Sequence, residues 1–249
     1  MGRAGRIERI AYLTGVALCA SGFLHLGILV TTGSSWNGPL SWRKPTTFGL
    51  SFGLTLITIA WVTSFLQLRE RTRTLILSAF TAACVLETAL ITMQTWRGVP
   101  SHFNVETPFD AWVTRGLAGG GIALVVMVVS LTVAAFRVPI APLPGMKVAI
   151  RTGFVVLCGA MATGAIMIAR GMTLAFNGNA QAAYATGGVL KPTHAVTMHA
   201  ILVLPTLAWL LSRTEWSEDQ QRRFVRFASA GYALLAAIVA AANMAGTWW

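Results

Sequence analysis

Hydrophobic residues run in long blocks along this chain, and polar residues collect between the blocks. Seven blocks of roughly 18–23 residues are each long enough to cross the ~30 Å hydrocarbon core of a bilayer as a helix. They cover residues 10–31, 48–68, 74–96, 116–136, 152–169, 194–212 and 227–247. The pattern predicts an all-α integral membrane bundle of seven transmembrane helices, with residues 1–249 forming a single domain.

The composition agrees with this prediction. Hydrophobic residues make up 55% of the chain, charged residues 11%, and the mean hydropathy is +0.65, which is typical of a protein whose main partner is the lipid bilayer. The net charge of +11 does not indicate nucleic-acid binding, because the basic residues punctuate the apolar blocks instead of forming a patch. The three cysteines all fall inside apolar blocks, so neither a disulfide nor a cysteine metal motif is expected.

The distribution of basic residues predicts the orientation. Of the 19 lysines and arginines, thirteen lie before the first block or in the connections that would share its side of the membrane. The other side holds six, namely Arg43, Lys44, Arg97, Arg115, Arg170 and Lys191. The positive-inside rule then predicts a cytoplasmic N-terminus and an external C-terminus, in the inner (cytoplasmic) membrane of the cell.

Residues 87–104 are the stretch that is hardest to explain by structure alone. Glu87 is the only carboxylate inside any apolar block, and a charge at the bilayer centre costs at least ~2.5–3.5 kcal/mol. Gln94 lies about 20° from Glu87 around a helix, so the two share one stripe. The block ends at Trp96, and Arg97 leads into an outer segment that contains Gly98 and Pro100. We therefore predict a site near here, with candidate catalytic residues Glu87, Gln94, Arg97, His102 and Asn104.

The four histidines all fall on the predicted outer side or in the outer half of the membrane. His25 and His199 lie at similar depths on two different helices, which a bis-histidine haem b site would require, and Arg43 and Lys44 could hold the propionates. His194 belongs to the same group of candidate cofactor ligands. Our leading interpretation is therefore a redox or cofactor-binding membrane protein, with a haem-like or quinone-like group near the outer leaflet.

Two alternatives remain open. In a proton-coupled transporter, Glu87 would carry the proton, although the sequence offers few polar groups in the inner half of the membrane. In a metal-dependent hydrolase, His25, His199 and Glu87 would bind zinc. Ser21 and His25 resemble the SxxxH element of seven-helix hydrolases such as alkaline ceramidases. That family pairs it with HxxxH, whereas His194 and His199 are five residues apart and would point about 140° apart on a helix.

Small residues recur at four-residue spacing in the predicted helices. Gly116 and Gly120 form a GxxxG pair, and Ala160 and Gly164 repeat the spacing in the next helix. Such faces allow the close approach of two helices. The sequence leaves open whether they pack within one chain or form a homo-oligomer.

Two local motifs resemble a known family. Residues 43–51 (RKPTTFGLS) contain a KPxxFxxS element, and residues 87–104 contain an ExxxxxxQxxRGxxSHFN element. Together they cover about 27 residues and resemble a family of uncharacterised bacterial polytopic membrane proteins. The resemblance implies a seven-helix membrane fold. It also suggests that Lys44, Arg97, Ser101, His102 and Asn104 form one outer unit with Glu87.

Overall fold

The protein is described here from a computed structural model that covers residues 5–186 and 188–246. All the elements of these residues are helices, and seven are long and apolar enough to cross a membrane. These are α1 (Arg6–Thr31), α2 (Arg43–Thr63), α3 (Glu70–Trp96), α4 (Pro108–Arg137), α5 (Met146–Phe176), α7 (Lys191–Leu211) and α8 (Glu218–Ala245). The short α6 (Ala180–Thr186) precedes α7. The predicted all-α fold with seven candidate membrane-spanning helices is confirmed.

The helix ends differ from the ends of the apolar blocks. Helix α4 begins eight residues before the predicted span, and α5 extends beyond its block at both ends, because backbone hydrogen bonding continues into the polar flanks. The prediction that the second helix reaches Leu68 was wrong. After Thr63 the chain turns, and Leu66 pairs with Ile140 in an isolated antiparallel bridge. Residue 247, the predicted end of the seventh span, lies outside the described residues.

The chain divides into two compact units. The first contains α1, nearly all of α2, α3, the N-terminal half of α4, the last residues of α5, and α6. The second contains residues 62–69, the remainder of α4 and α5, and both α7 and α8. Most residues discussed below as a candidate site belong to the first unit.

Glycines allow α1 and α2 to approach closely. A β-carbon at Gly22 would lie 2.7 Å from the backbone nitrogen of Leu50, and one at Gly49 would lie 2.8 Å from the Cα of Gly22. Gly15 and Gly53 repeat the contact further along the two helices. Backbone of α2 therefore fills the space beside Gly22, and the two helices are in close contact there.

Helices α3 and α4 run antiparallel along a shared face. A β-carbon at Gly120 would collide with the Glu87 carboxylate, and one at Gly116 would lie 3.2 Å from a methyl group of Leu90. Nearer the loop between the helices, Gln94 donates a hydrogen bond to Asp110. We call these six residues the α3–α4 face. The GxxxG pair of α4 therefore packs within the chain, which is one of the two arrangements that the sequence left open.

Hydrogen bonds connect α7 and α8 in the second unit. Asn243 of α8 accepts a hydrogen bond from the Thr193 hydroxyl at 2.8 Å and donates one to the Val189 carbonyl at 2.9 Å. The Tyr232 hydroxyl donates to the carbonyl of Val196 at 2.8 Å. These bonds lie between neutral groups and connect α8 to α7 and to the residues just before it.

Candidate functional site

Glu87 is buried in the middle of α3, with 4% of its surface exposed. Its carboxylate rests on Gly120 of α4, where only a glycine leaves room for it. The Oε1 atom is buried and has no hydrogen-bond partner among the described residues. Buried polar atoms are nearly always hydrogen-bonded, so an orphaned carboxylate oxygen inside a membrane helix needs an explanation.

Three threonines of α3 also have a buried side-chain oxygen without a hydrogen-bond partner. The hydroxyl oxygens of Thr81, Thr88 and Thr92 are buried and lack a partner among the described residues, whereas that of Thr95 donates to the carbonyl of Ile91 at 3.0 Å. Thr81 lies about 9 Å along the helix from Glu87, on the side away from the α3–α4 loop. Helix α3 therefore carries unsatisfied polar groups on both sides of Glu87.

At the loop end of the α3–α4 face, a second buried carboxylate is fully paired. Asp110 is 2% exposed and accepts hydrogen bonds from Gln94 at 2.8 Å, from Arg97 at 2.7 Å and from the Thr107 hydroxyl at 2.6 Å. The Arg97 guanidinium also donates to the Gln94 side-chain oxygen and stacks over the ring of Phe109. The structure therefore brings the predicted residues Gln94 and Arg97 together, with both held by Asp110.

Sequence reasoning missed Asp110 and Thr107. Thr107 precedes α4, and its hydroxyl accepts a hydrogen bond from the backbone N–H of Asp110 while donating to the Asp110 carboxylate. The first of these bonds is one half of a capping box, whose sequence signature is a Ser or Thr followed three residues later by an acidic residue at the start of a helix. The sequence of residues 107–110 is TPFD, so the signal was present in the sequence.

The segment between α3 and α4 folds back onto its own unit. The His102 ring lies 5.8 Å from that of Phe48 and 6.0 Å from that of Phe103, and its Nδ1 shares a hydrogen bond with the Ser101 hydroxyl at 3.0 Å. Loss of hydration, together with the nearby ammonium group of Lys44, lowers the pKa of His102 to about 3. The imidazole is therefore uncharged at neutral pH.

Asn104 anchors the end of this segment. Its carbonyl accepts a hydrogen bond from the Thr114 hydroxyl at 2.7 Å, and its side-chain oxygen accepts one from the backbone of Glu106 at 3.1 Å. The Asn104 side-chain nitrogen is buried and has no partner among the described residues. A cavity of about 20 Å³, enough for roughly one water molecule, lies beside this segment. It is lined by His102, Phe103, Thr114, Leu117, Ala118, Ile168 and Met172.

His25 lies in an aromatic cluster at the end of α1. Its Nε2 accepts a hydrogen bond from the indole N–H of Trp96 at 3.1 Å, so its Nδ1 carries the proton and donates to the Ser21 carbonyl at 2.7 Å. The ring stacks on Trp42 at 5.9 Å, and Trp42 meets Trp96 edge-on at 4.9 Å. Both ring nitrogens of His25 are thus engaged within the chain.

The other two histidines belong to α7 in the second unit. His199 is exposed, and its Nδ1 donates to the Ala195 carbonyl one turn earlier at 2.6 Å. His194 donates from Nδ1 to the Ala160 carbonyl at 2.8 Å, and its ring packs beside Gly164. The Ala160–Gly164 spacing of α5 is therefore used to seat His194.

The predicted basic residues of α2 have local roles. The Arg43 side chain donates to the Trp36 carbonyl at 2.9 Å, which ties the α1–α2 loop to the start of α2. Lys44 lies close enough to His102 to influence its protonation. This proximity connects the two sequence motifs at residues 43–51 and 87–104.

Two predictions receive no support from the described part of the chain. Among residues 5–186 and 188–246, no three His, Cys, Asp or Glu side chains come together as a metal site would require. Homo-oligomer formation stays a prediction. A β-carbon added at Gly119 or Gly121 of α4 would meet no described atom within 4 Å, so these two glycines leave their side of the helix open.

These features define the class of the protein. Seven helices of sufficient length and hydropathy make it a multi-pass membrane protein. Its two buried carboxylates on the α3–α4 face are Glu87 and Asp110. Compared with known proteins, the chain matches no family model, no curated protein and no solved structure. The resemblance carried by the two motifs therefore stays a prediction, as do the orientation and the particular membrane.

Proposed function

We propose that this protein is a proton-coupled membrane transporter in which Glu87 is the proton-binding carboxyl group. The observation that carries the proposal is the buried Oε1 atom of Glu87, which has no partner among the described residues although it lies inside a membrane helix. Ionisable groups at such depth usually mark ion pathways or proton relays. None of the ion pairs among the described residues involves Glu87, so its carboxyl group is able to bind and release a proton without breaking a structural ion pair.

The surroundings of Glu87 support this function over a purely structural role. A carboxylate that merely ties helices together requires a cation or several donors, as Asp110 has at the loop end of the same face. The unpartnered hydroxyl of Thr81 also supplies a buried polar group on the side of Glu87 away from the α3–α4 loop, and that of Thr88 lies next to Glu87 on the loop side. Thr81 therefore adds one polar group to the half of the helix in which the sequence offers few.

A transport assay in proteoliposomes tests the proposal. A pH-sensitive dye is enclosed in the lumen, and solutes of different classes are added outside: amino acids, sugars, organic anions and monovalent cations. The wild-type protein should change the luminal pH with one class of solute, and Glu87→Gln should abolish that change. Glu106→Gln, which alters an exposed carboxylate in the α3–α4 loop, is the matched control and should behave as wild type.

Two results would contradict the proposal. The first is an equal solute-driven pH change in Glu87→Gln and wild-type vesicles. The second is a wild-type protein that is folded in the vesicles and moves no solute class together with protons.

A redox or cofactor-binding role is the second candidate function. It is favoured by the cluster of His25, Trp42 and Trp96, whose aromatic faces could stack against a flat, quinone-like ring. Haem b is less well supported, because both ring nitrogens of His25 already have partners within the chain. This candidate predicts that added quinone quenches tryptophan fluorescence in the wild type but not in Trp42→Leu.

A visible absorption spectrum of the purified protein, oxidised and then reduced, separates the haem version. A Soret band that shifts on reduction and is lost in both His25→Ala and His199→Ala would support haem. A colourless folded protein would exclude it.

A further inference from the structure

We infer that residues 98–104 form a lid, latched by the ring of Phe103 on Gly171 of α5, which closes the approach to Glu87 from the α3–α4 loop. The importance of Glu87 to this inference rests on the proposed function. The movement of residues 98–104 does not, and it can be tested without measuring transport.

Both ends of the segment have a left-handed backbone. Gly98 has a φ of 69° and Phe103 a φ of 63°, and Phe103 is the only described residue other than glycine with a positive φ. This conformation is unfavourable for a bulky residue and persists only where the surrounding structure enforces it. The segment between these two points is therefore held in place by its contacts, and its backbone does not favour the closed position by itself.

The contact of Phe103 with Gly171 is the main restraint. A β-carbon at Gly171 would lie 2.7 Å or less from three atoms of the Phe103 ring, so the ring occupies a notch that only glycine provides. Ala175 and Ala183 complete the seat, and Phe103 is 7% exposed. The closed segment is thus secured by one apolar ring in a fitted notch.

Polar contacts hold the segment at its two ends. The backbone N–H of Val99 donates to the Gln94 carbonyl at 3.1 Å, and the Thr114 hydroxyl donates to the Asn104 carbonyl, whereas the Ser101–His102 bond lies within the segment. Asn104 is 1% exposed, and its side-chain nitrogen has no partner among the described residues. An unsatisfied buried donor lowers the cost of opening, because opening would hydrate it.

The position of the cavity indicates what the lid covers. Its walls include His102 and Phe103 from the segment and Leu117 from α4. Leu117 also packs with Ile91 of α3 in the core beside the α3–α4 face. Gly120, against which the Glu87 carboxylate of α3 rests, is about one helical turn further along α4. Opening the lid would therefore expose the floor that separates this cavity from Glu87.

Cysteine labelling tests the lid. Cys19, Cys84 and Cys158 are replaced by alanine, and a reporter cysteine is placed at Leu117 or, separately, at Ser101, both of which are buried. A membrane-impermeant maleimide is then added to vesicles that present the α3–α4 loop outward. The reporter should react slowly in the otherwise unchanged protein.

Two variants disrupt the latch from opposite sides, and each has a matched control. Gly171→Ala adds a methyl group in the place of the ring, and Phe103→Ala removes the ring. Gly119→Ala adds the same methyl group on α4 where no described atom lies within 4 Å, and Phe23→Ala removes an exposed ring of α1. We expect both latch variants to raise the labelling rate by at least about tenfold, because each removes a core aromatic contact. Neither control should change it.

The outcome separates the lid from both general unfolding and transport. A reporter at Leu29, buried at the end of α1 near the α1–α2 loop, should stay unlabelled in the latch variants if they remain folded. Equal labelling at Leu29 and Leu117 would overturn the lid, and so would unchanged labelling at Leu117 in both latch variants. Loss of coupled transport in Glu87→Gln has no bearing on these rates, so the two proposals can fail independently.

Discussion

The two buried carboxylates of the α3–α4 face lie in opposite environments. Asp110 has Arg97, Gln94 and Thr107 as hydrogen-bond donors, whereas Glu87 has a carboxylate oxygen with no partner among the described residues. Burying a carboxylate is tolerated when charge and hydrogen bonds compensate for lost water. The comparison shows that burial alone does not assign a role, and that partners distinguish a structural carboxylate from a candidate functional one.

The largest expected effect is at the paired carboxylate. Asp110→Ala leaves Gln94 and Arg97 without their acceptor and should lower the free energy of unfolding by about 2–3 kcal/mol. The loss should be less than for a fully buried pair, since the Arg97 side chain is 38% exposed and can be hydrated. Thermal unfolding in detergent measures it. Glu106→Ala, in the exposed loop, is the control, and an equal loss there would remove the special role of Asp110.

A second variant tests Gln94, the hydrogen-bond partner of Asp110 on the α3–α4 face. Gln94→Met keeps the side-chain length but removes a donor to Asp110 and an acceptor for Arg97, so it should cost about 1–2 kcal/mol. The same measurement of unfolding applies. A neutral Gln94→Met would mean that the hydrogen bonds at the loop end do not stabilise the α3–α4 face.

These contrasts show how much could be predicted from the sequence. The seven spans followed from apolar length alone, and Gln94 was correctly placed on the stripe of Glu87 by helix geometry. The contact between Thr107 and Asp110 was predictable in principle from the TPFD sequence. The hydrogen bond from Gln94 to Asp110 was not, because it depends on how α3 and α4 align. The seating of Phe103 on Gly171 joins residues 68 positions apart, and no local pattern encodes such a contact.

Protonation of His102 provides the next prediction. Its pKa is lowered to about 3 in the folded protein, while an unfolded histidine has a pKa near 6.5. The unfolded state therefore binds more protons between these values, so stability falls as the pH is lowered. We expect a loss of about 1 kcal/mol between about pH 7 and pH 5.5 from this group.

The variant His102→Gln should remove that part of the pH dependence, because glutamine does not titrate. His199→Gln, at an exposed site on α7, should retain it. An unchanged pH profile in His102→Gln would show that the imidazole is hydrated and free to take up a proton in the folded state.

The smallest expected effect on stability is at Glu87. Glu87→Met keeps the volume above Gly120 and removes a carboxylate oxygen that has no described partner, so the free energy of unfolding should change by less than about 1 kcal/mol. A loss as large as that of Asp110→Ala would mean that Glu87 is a structural residue with a partner in the membrane.

Infrared difference spectroscopy in membranes reports directly on whether Glu87 exchanges a proton. Spectra recorded between acidic and alkaline buffer should contain a carboxylic-acid carbonyl band that shifts in heavy water. This band should be absent in Glu87→Gln and present in Glu106→Gln. A band of full intensity in Glu87→Gln, or no exchangeable carbonyl band in the wild type, would contradict proton exchange at Glu87.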